Sequence, residues 1–148
     1  MKTILLFALI TMSSTSWSQT DSTRIAEVRA VIDQLFEGMR TGDSTLVREV
    51  FHENAELYTT YKKDDAFQLS MGSIDEFAKA VGTPHDEVWD ERISNMVIQV
   101  DDGLASAWME YSFYVGDKFS HKGVNSMVLV DGERGWKIIN IADTRRRN

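Results

Sequence analysis

Two spacings of apolar residues divide this chain into a helical part and a strand part. Over residues 25–39 the apolar positions recur every three or four residues, which is typical of an amphipathic helix. Gly42 predicts the end of that helix, and Asp43 is placed to cap a second one. Ser73 and Glu76 form a capping box that opens a third short helix. The first part of the chain is therefore predicted to be mainly helical.

From residue 88 onward the apolar spacing changes to two, which is typical of β-strands. Residue pairs that favour hairpin turns separate the strands at Asp102-Gly103, Gly116-Asp117 and Asp131-Gly132. The predicted strands cover 55–61, ahead of the third helix, and then 88–100, 104–115, 119–130 and 135–145. Helices followed by an antiparallel meander predict a single α+β domain.

Alternation along the strands, carried through the hairpins, assigns the side chains to two faces of the sheet. The more apolar face is predicted to be concave and covered by the helices, and it holds Met96, Ile98, Val100, Met109, Tyr111, Phe113, Val124, Val128, Ile139 and Ile141, with Arg92, Lys122, Ser126, Asp143 and Arg145. The opposite, convex face holds Trp108, Glu110, Tyr114, His121, Asn125, Trp136 and Asn140. Because two Trp and one Tyr would be exposed there, the convex face predicts a homodimer through Trp108, Tyr114 and Trp136.

The first 18 residues have the composition of a secretory signal peptide. Lys2 gives a positive start, residues 3–12 are apolar, and Ser16 and Ser18 occupy the small-residue positions before a cleavage site. The apolar run is shorter than the roughly 20 residues that span a bilayer. Cleavage between Ser18 and Gln19 would leave one domain, residues 19–148, in the periplasm or outside a bacterial cell, with no membrane attachment. An uncleaved interfacial N-terminus is the alternative.

Composition removes several classes of function. The chain contains no Cys, so disulfides, thiolate metal sites and thiol nucleophiles do not apply. Its formal net charge is −7, and the leader contains one Lys and no acid, so the mature domain is more acidic still. An acidic domain repels phosphate backbones, which argues against nucleic acid as a partner. The single basic run, 145–147, is most simply a solvated terminus.

Five segments carry a resemblance to a known superfamily: 36–43 (FEGMRTGD), 51–55 (FHENA), 89–93 (WDERI), 121–125 (HKGVN) and 143–145 (DTR). In these segments and in the order of its elements, the chain resembles the nuclear transport factor 2-like superfamily, which shares the ketosteroid isomerase scaffold. Within it, the chain is similar to a bacterial exported subgroup named for lumazine binding. The resemblance implies three helices packed on a strongly curved, cone-shaped, cystatin-like antiparallel sheet with a cavity. It implies no single activity, because members include isomerases, hydrolases, dehydratases and binders.

The isomerase chemistry of the superfamily needs a carboxylate base, a Tyr and a neutral carboxylic acid. The resemblance places Thr59 at the base, Leu35 at the Tyr and Ser126 at the acid. None of these side chains can take the required role, so ketosteroid isomerisation is not supported. Lys122 stands where the subgroup commonly has Cys, which argues against a thiol-dependent role and adds an ammonium group to the predicted concave face.

The polar end of the predicted concave face is the candidate ligand site. Asp143 with Arg92, Lys122 and Arg145 would suit an anionic or carbonyl-bearing ligand, which Asp143 would orient or deprotonate as a base. A structural ion pair at the end of the sheet is the competing explanation. Ser126 is a further candidate for one hydrogen bond to a ligand or to the backbone.

Aromatic and histidine side chains give weaker signals. Tyr58, Tyr111 and Phe113 would stack a planar ligand, or they belong to the ordinary core. His121 is the most base-like side chain by its intrinsic pKa, but its predicted convex position favours a surface or interface role. His85, Asp86, Glu87, Asp90 and Glu91 could suggest a cation site, but their metal-ligand spacing is poor, so no metal site is predicted. No cofactor is predicted either.

The leading hypothesis is an exported domain that binds a small molecule of modest size, partly aromatic or apolar and with anionic or carbonyl character. One alternative is a cofactor-independent isomerase, dehydratase or hydrolase that uses Asp143 as its base. The other is a dimeric protein-interaction module that uses the convex face.

Overall fold

The computed structural model describes residues 17–147. Its elements are α1 (Trp17–Thr41), α2 (Ser44–Val50), β1 (Phe51–Lys63), β2 (Ala66–Gly72), α3 (Ile74–Gly82), β3 (Trp89–Asp101), β4 (Leu104–Val115), β5 (Lys118–Gly132) and β6 (Gly135–Arg145). Apart from Trp17 and Ser18, the predicted leader lies outside the described residues, so its cleavage stays a prediction. Within residues 17–147, no helix has the length and apolar character needed to cross a membrane.

The two predicted caps begin α2 and α3. Asp43 Oδ1 accepts hydrogen bonds from the backbone N–H of Thr45 at 2.9 Å and of Leu46 at 3.1 Å. Ser73 Oγ accepts in the same way from the first turn of α3. Gly42 turns the chain between α1 and α2 with φ +70°, a conformation that favours glycine. These caps satisfy backbone donors that the helices leave without partners.

The fold is α+β, as the apolar spacing predicts, and its six strands form one mixed sheet in the order β2-β1-β6-β5-β4-β3. All neighbouring strands are antiparallel except β1 and β6, which run parallel. Strand β2 was not predicted; it pairs with β1 through a hairpin whose turn residues Asp64 and Asp65 both have positive φ. The core lies between α1 and the inner face of the sheet and includes Val28, Ile32, Met109, Leu129 and Ile138, each fully buried.

Two bulges correct the predicted face assignment of β5 and β6. On β5, Phe113 pairs with His121 while Tyr114 pairs with Phe119, so Ser120 is an extra residue. Beyond it the alternation is inverted. The inner face of β5 therefore carries His121, Gly123, Asn125, Met127 and Leu129, all buried. The residues predicted to face inward point outward instead: Lys122, Val124, Ser126 and Val128.

The second bulge, on β6, restores the predicted orientation of its last residues. Val128 pairs with Asn140 and Leu129 with Ile138, which leaves Ile139 as the extra residue. Ile141 and Asp143 consequently face inward, as predicted. The prediction included neither bulge, and the two inversions cancel at these residues. Trp136, predicted on the convex face, is 4% exposed and faces the core, with Nε1 donating to Glu27 of α1 at 3.3 Å.

A third irregularity corrects β3. The register shifts between Ser94 and Val97, and Asn95 has φ +51°. Before the bulge, Glu91 pairs with Phe113 and shares its inner face. The neighbouring Arg92 is exposed and stacks its guanidinium 3.9 Å from the centroid of the Tyr114 ring, on the outer face.

Candidate functional site

A cavity of about 380 Å³ opens between the helices and the inner face of the sheet. Its apolar walls are Leu35, Phe36, Met39, Leu57, Phe77, Trp89, Phe113, Val115, Met127 and Ile141. Its polar side chains are Thr59, Glu91, Tyr111, His121, Asn125, Asp143 and Arg145. A mostly apolar cavity with a few polar groups at one end is the usual form of a small-molecule site.

Asp143 is held at the polar end by donors from two other strands. Thr59 Oγ1 of β1 donates to Asp143 Oδ1, and the Tyr111 hydroxyl of β4 lies 3.1 Å from Oδ2. The same hydroxyl lies 2.9 Å from the carbonyl oxygen of Thr144. Burial, followed by the charge of Asp143, raises the pKa of Tyr111 above its ordinary range, so its hydroxyl stays a donor. The carboxylate is thereby fixed in orientation with both oxygens engaged.

Tyr111 reaches this position because Gly123 has no side chain. A Cβ at position 123 would lie 1.7 Å from the carbonyl oxygen of Thr144 and 2.6 Å from Cε1 of the Tyr111 ring. The glycine of the HKGVN segment is therefore required by the close approach of the β6 backbone at Thr144 and of the Tyr111 ring, rather than by a turn.

Glu91 and Asn125 form the second polar pair of the cavity. Asn125 is 5% exposed, and its Nδ2 donates to Glu91 Oε1 at 2.7 Å. Burial raises the pKa of Glu91 to about 7 and outweighs the hydrogen bond from Asn125, which lowers it. The negative charge of Asp143 also raises this pKa, and the positive charge of Arg145 lowers it by a smaller amount. Glu91 is thus the carboxyl group of this cavity whose charge changes near neutral pH.

His121 also faces the cavity, which corrects its predicted place on the convex face. It is 8% exposed, with its ring centroid 5.0 Å from that of Phe113 and 5.8 Å from that of Tyr111. Burial, with the positive charges of Arg145 and Arg147, lowers its pKa to about 4. The imidazole is therefore neutral at physiological pH.

Four of the eight predicted ligand-binding residues have their functional groups at the cavity: Tyr111, Phe113, Asp143 and Arg145. Arg145 is exposed and stands at the mouth. Backbone alternation turns the phenol of Tyr58 outward, where its hydroxyl donates to Glu56 at 2.8 Å, although Tyr58 still forms part of the wall. Arg92, Lys122 and Ser126 lie outside the lining because of the bulges.

Among residues 17–147, no group of three or more His, Asp or Glu side chains is arranged to hold a metal ion. The polar end of the cavity instead combines a fixed carboxylate, a carboxyl group that titrates near neutrality, a neutral imidazole and a guanidinium at the mouth. This set can accept and donate hydrogen bonds to one face of a bound molecule and can move a proton.

The family model described as "Putative lumazine-binding" matches residues 23–142. This chain belongs to that family. Its fold is that of the nuclear transport factor 2-like superfamily, in agreement with the resemblance of the five sequence segments. Among curated proteins, none matches the chain.

Solved structures share the fold at low sequence identity. A function-unknown protein from Mycobacterium tuberculosis is 14% identical with TM-score 0.72, over 92% of this chain and 79% of the other. A nuclear transport factor 2-like protein with a cystatin-like fold from Novosphingobium aromaticivorans is 13% identical with TM-score 0.68, over 91% and 92%. A protein from the same organism described as a putative scytalone dehydratase is 12% identical with TM-score 0.69, over 88% and 89%. At these identities the likeness concerns the fold.

In this lumazine-binding family member, four polar cavity residues were not predicted to lie there: Glu91, Asn125, His121 and Thr59. Thr59 was also not predicted as a donor to Asp143. Glu91 was grouped with an exposed acidic stretch. Glu91 lies two residues before Ile93, so alternation places the two side chains on the same face of β3, and this was the available signal for an inward position. The bulge at Asn95 hid that signal, because it inverts the alternation relative to the rest of β3.

Proposed function

We propose that this protein is an exported binder of a small, largely planar molecule that sits in the cavity with its polar edge toward Asp143. The observation that carries the proposal is the division of the lining into an aromatic and aliphatic part and one polar cluster. A volume of about 380 Å³ lies within the range of small-molecule sites. The family description supports a heterocyclic ligand. Export is supported by the composition of residues 1–18.

Lumazine is the probe that tests this proposal. The change in lumazine fluorescence on titration with purified protein measures the affinity. Native mass spectrometry of the protein purified from its own host shows whether a small molecule co-purifies with it. Tyr111→Ala and Arg145→Ala are expected to weaken binding by about fivefold or more, since each removes a cavity contact. Tyr114→Ala and Lys122→Ala are the matched controls, because these residues lie on the outer face, and they should leave binding unchanged.

Absence of lumazine binding by the folded wild-type protein, together with no co-purifying molecule, would contradict the proposal. Equal losses in the cavity variants and their outer-face controls would also contradict it, because the effect would then be general destabilisation.

A second candidate function is acid–base catalysis without a cofactor. It is favoured by the two carboxyl groups in one cavity, with Asp143 fixed by Thr59 and Tyr111 and Glu91 titrating near pH 7. Asp143 would act as the base. NMR in D2O with β-hydroxy ketones and simple ketones would detect deuterium incorporation or loss of water. Asp143→Asn should abolish such turnover while a bound ketone is retained; turnover unaffected by this change would exclude Asp143 as the base.

The convex face supports a proposal about partners. Trp108 is 55% exposed and pairs across the strands with Val97, which is 59% exposed. We propose that a second copy of this chain covers this surface. Trp136 does not contribute, because it is buried in the core.

A further inference from the structure

Two carboxyl groups reach the cavity from opposite parts of the sheet and are held in different ways. Asp143 lies on β6 and Glu91 on β3. Strands β5 and β4 lie between them in the sheet. Asn125, on β5, pairs with Asp143 in the strand register and donates to Glu91 Oε1 at 2.7 Å. A single residue therefore spaces the two carboxyl groups, and both lie at the same end of the cavity.

Asp143 has the surroundings of an ionised acceptor. Each of its oxygens receives one hydroxyl donor, from Thr59 and from Tyr111. Carboxylate oxygens accept more than one hydrogen bond each, so both retain capacity for a donor on a ligand. Arg145, two residues further along β6, adds a positive charge at the cavity mouth.

Glu91 has the surroundings of a neutral acid on the cavity side. Asn125 occupies Oε1, and no described residue hydrogen-bonds Oε2 or forms a salt bridge with this carboxyl group. Apart from Tyr58, whose phenol points outward to Glu56, the titratable groups that share the cavity with it are Asp143, Arg145, Tyr111 and His121. Tyr111 and His121 are uncharged at neutral pH, so the charges facing Glu91 here are one negative and one positive.

On its other side Glu91 borders a groove between α1 and β3. The charged α1 residues in that groove already have partners: Arg40 pairs with Glu37 at 2.7 Å and Arg29 with Asp33 at 3.7 Å. The neighbours of Glu91 on β3 are likewise paired, since Arg92 binds Asp90 at 2.7 Å. None of these three Arg side chains forms a salt bridge that would stabilise the ionised form of Glu91.

We propose that Glu91 in its protonated form and Asp143 in its ionised form are a donor–acceptor pair that recognises a cyclic amide or imide. The ligand's carbonyl oxygen would accept from the Oε2 hydroxyl of Glu91, and its ring N–H would donate to Asp143. The inference rests on the proposed small-molecule-binding function and specifies the ligand class. Amide edges of this kind present a carbonyl next to an N–H, which matches two side chains of opposite hydrogen-bonding character.

Ionisation of Glu91 should weaken this recognition. It removes the donor and sets a negative charge against the ligand's carbonyl oxygen. Burial raises the pKa of Glu91 to about 7, so affinity should be full at about pH 6 and fall roughly tenfold by about pH 8. Glu91→Gln keeps a hydrogen-bond donor that does not titrate, so its affinity should vary little over the same interval.

The test uses full-length protein with lumazine and with 1,3-dimethyllumazine, in which both ring N–H groups are methylated. Wild-type protein should bind lumazine at about pH 6 and lose about tenfold in affinity by about pH 8. Glu91→Gln should bind at both pH values with less than about a threefold change. Any titration of lumazine itself affects both proteins equally and cancels in their comparison. Dimethyllumazine should bind at least about tenfold more weakly than lumazine to either protein at low pH, since the Asp143 contact is lost.

The outcomes separate the two levels of the proposal. No lumazine binding by wild-type protein at about pH 6 would overturn the proposed ligand class and this inference together. Lumazine binding with the same pH dependence in wild type and Glu91→Gln would overturn the inference and leave the binding function standing. A ligand-free readout is the carboxyl carbon-13 shift of Glu91 followed by NMR: a midpoint near pH 7 supports the proposal, and one near its ordinary value of 4.5 overturns it.

Discussion

Glu91→Gln should make the protein more stable at alkaline pH and leave its stability in acid unchanged. Burial raises the pKa of Glu91 from 4.5 to about 7 in the folded protein. Between these values the unfolded chain has lost the proton and the folded chain has kept it. The unfolding free energy therefore decreases as pH rises from about 4.5 to about 7, and the full loss persists above that interval.

The size of the effect follows from the displacement of the pKa. Each pH unit corresponds to about 1.4 kcal/mol, so the loss is at most about 3 kcal/mol. Glu91 is only partly buried, so solvent screening reduces the effect below this upper limit. A gain in unfolding free energy of about 1–3 kcal/mol is therefore expected for Glu91→Gln at about pH 8. The amide oxygen of Gln can still accept from Asn125, so the hydrogen bond need not be lost.

Urea unfolding of both proteins over about pH 4 to 8.5 measures this difference. The depressed pKa of His121 destabilises the fold as pH falls from 6.5 toward about 4, but it does so in both proteins and cancels. Glu53→Gln, at an exposed position of β1, is the matched control and should run parallel to the wild type. A stability difference between Glu91→Gln and wild type that is constant across the pH range would refute the reasoning.

Three other changes test the packing of the site and the outer surface. Gly123→Ala should cost about 3 kcal/mol or more in thermal or urea unfolding, because its Cβ would overlap backbone and the Tyr111 ring, whereas Gly132→Ala, with nothing within 4 Å, should be close to neutral. Tyr111→Phe should cost about 1–2 kcal/mol by removing a donor shared by two part-buried acceptors, Asp143 Oδ2 and the Thr144 carbonyl oxygen. An unchanged unfolding midpoint would contradict that hydrogen-bond role. Trp108→Ala should shift the mass in light scattering from dimer to monomer without altering lumazine binding, and a monomeric wild type would disprove the proposed interface.

The helices were predictable because their signals are local. Capping by Asp43 and Ser73 depends on side chains within three residues of the backbone groups that they satisfy. The same is true of the turn at Gly42, whose positive φ is the expected one. Strand β2 was missed for the opposite reason. All seven of its residues are exposed, and its hairpin turns on Asp64 and Asp65 rather than on a glycine.

The site was only partly predictable because face assignments accumulate errors along a meander. Each bulge adds one residue, so it inverts every side chain beyond it. Because of the bulge at Ser120, the inner face carries His121 and Asn125, where Lys122 and Ser126 were predicted. Alternation alone carries no mark of such an insertion, since the β5 sequence alternates plausibly in either register.

The bulge at Ser120 also determines the chemistry of the cavity. In an unbulged register, Lys122 would face Tyr111 from the inner side of β5 and bring an ammonium group close to the carboxyl groups. In the observed register Gly123 occupies that place, and Lys122 points outward beside the backbone bridge to Arg146. Glu91 is consequently enclosed without a cation of its own, which is the condition under which burial can raise its pKa to about 7. The extra residue in one strand thus replaces a cationic site with one that holds a proton near neutral pH.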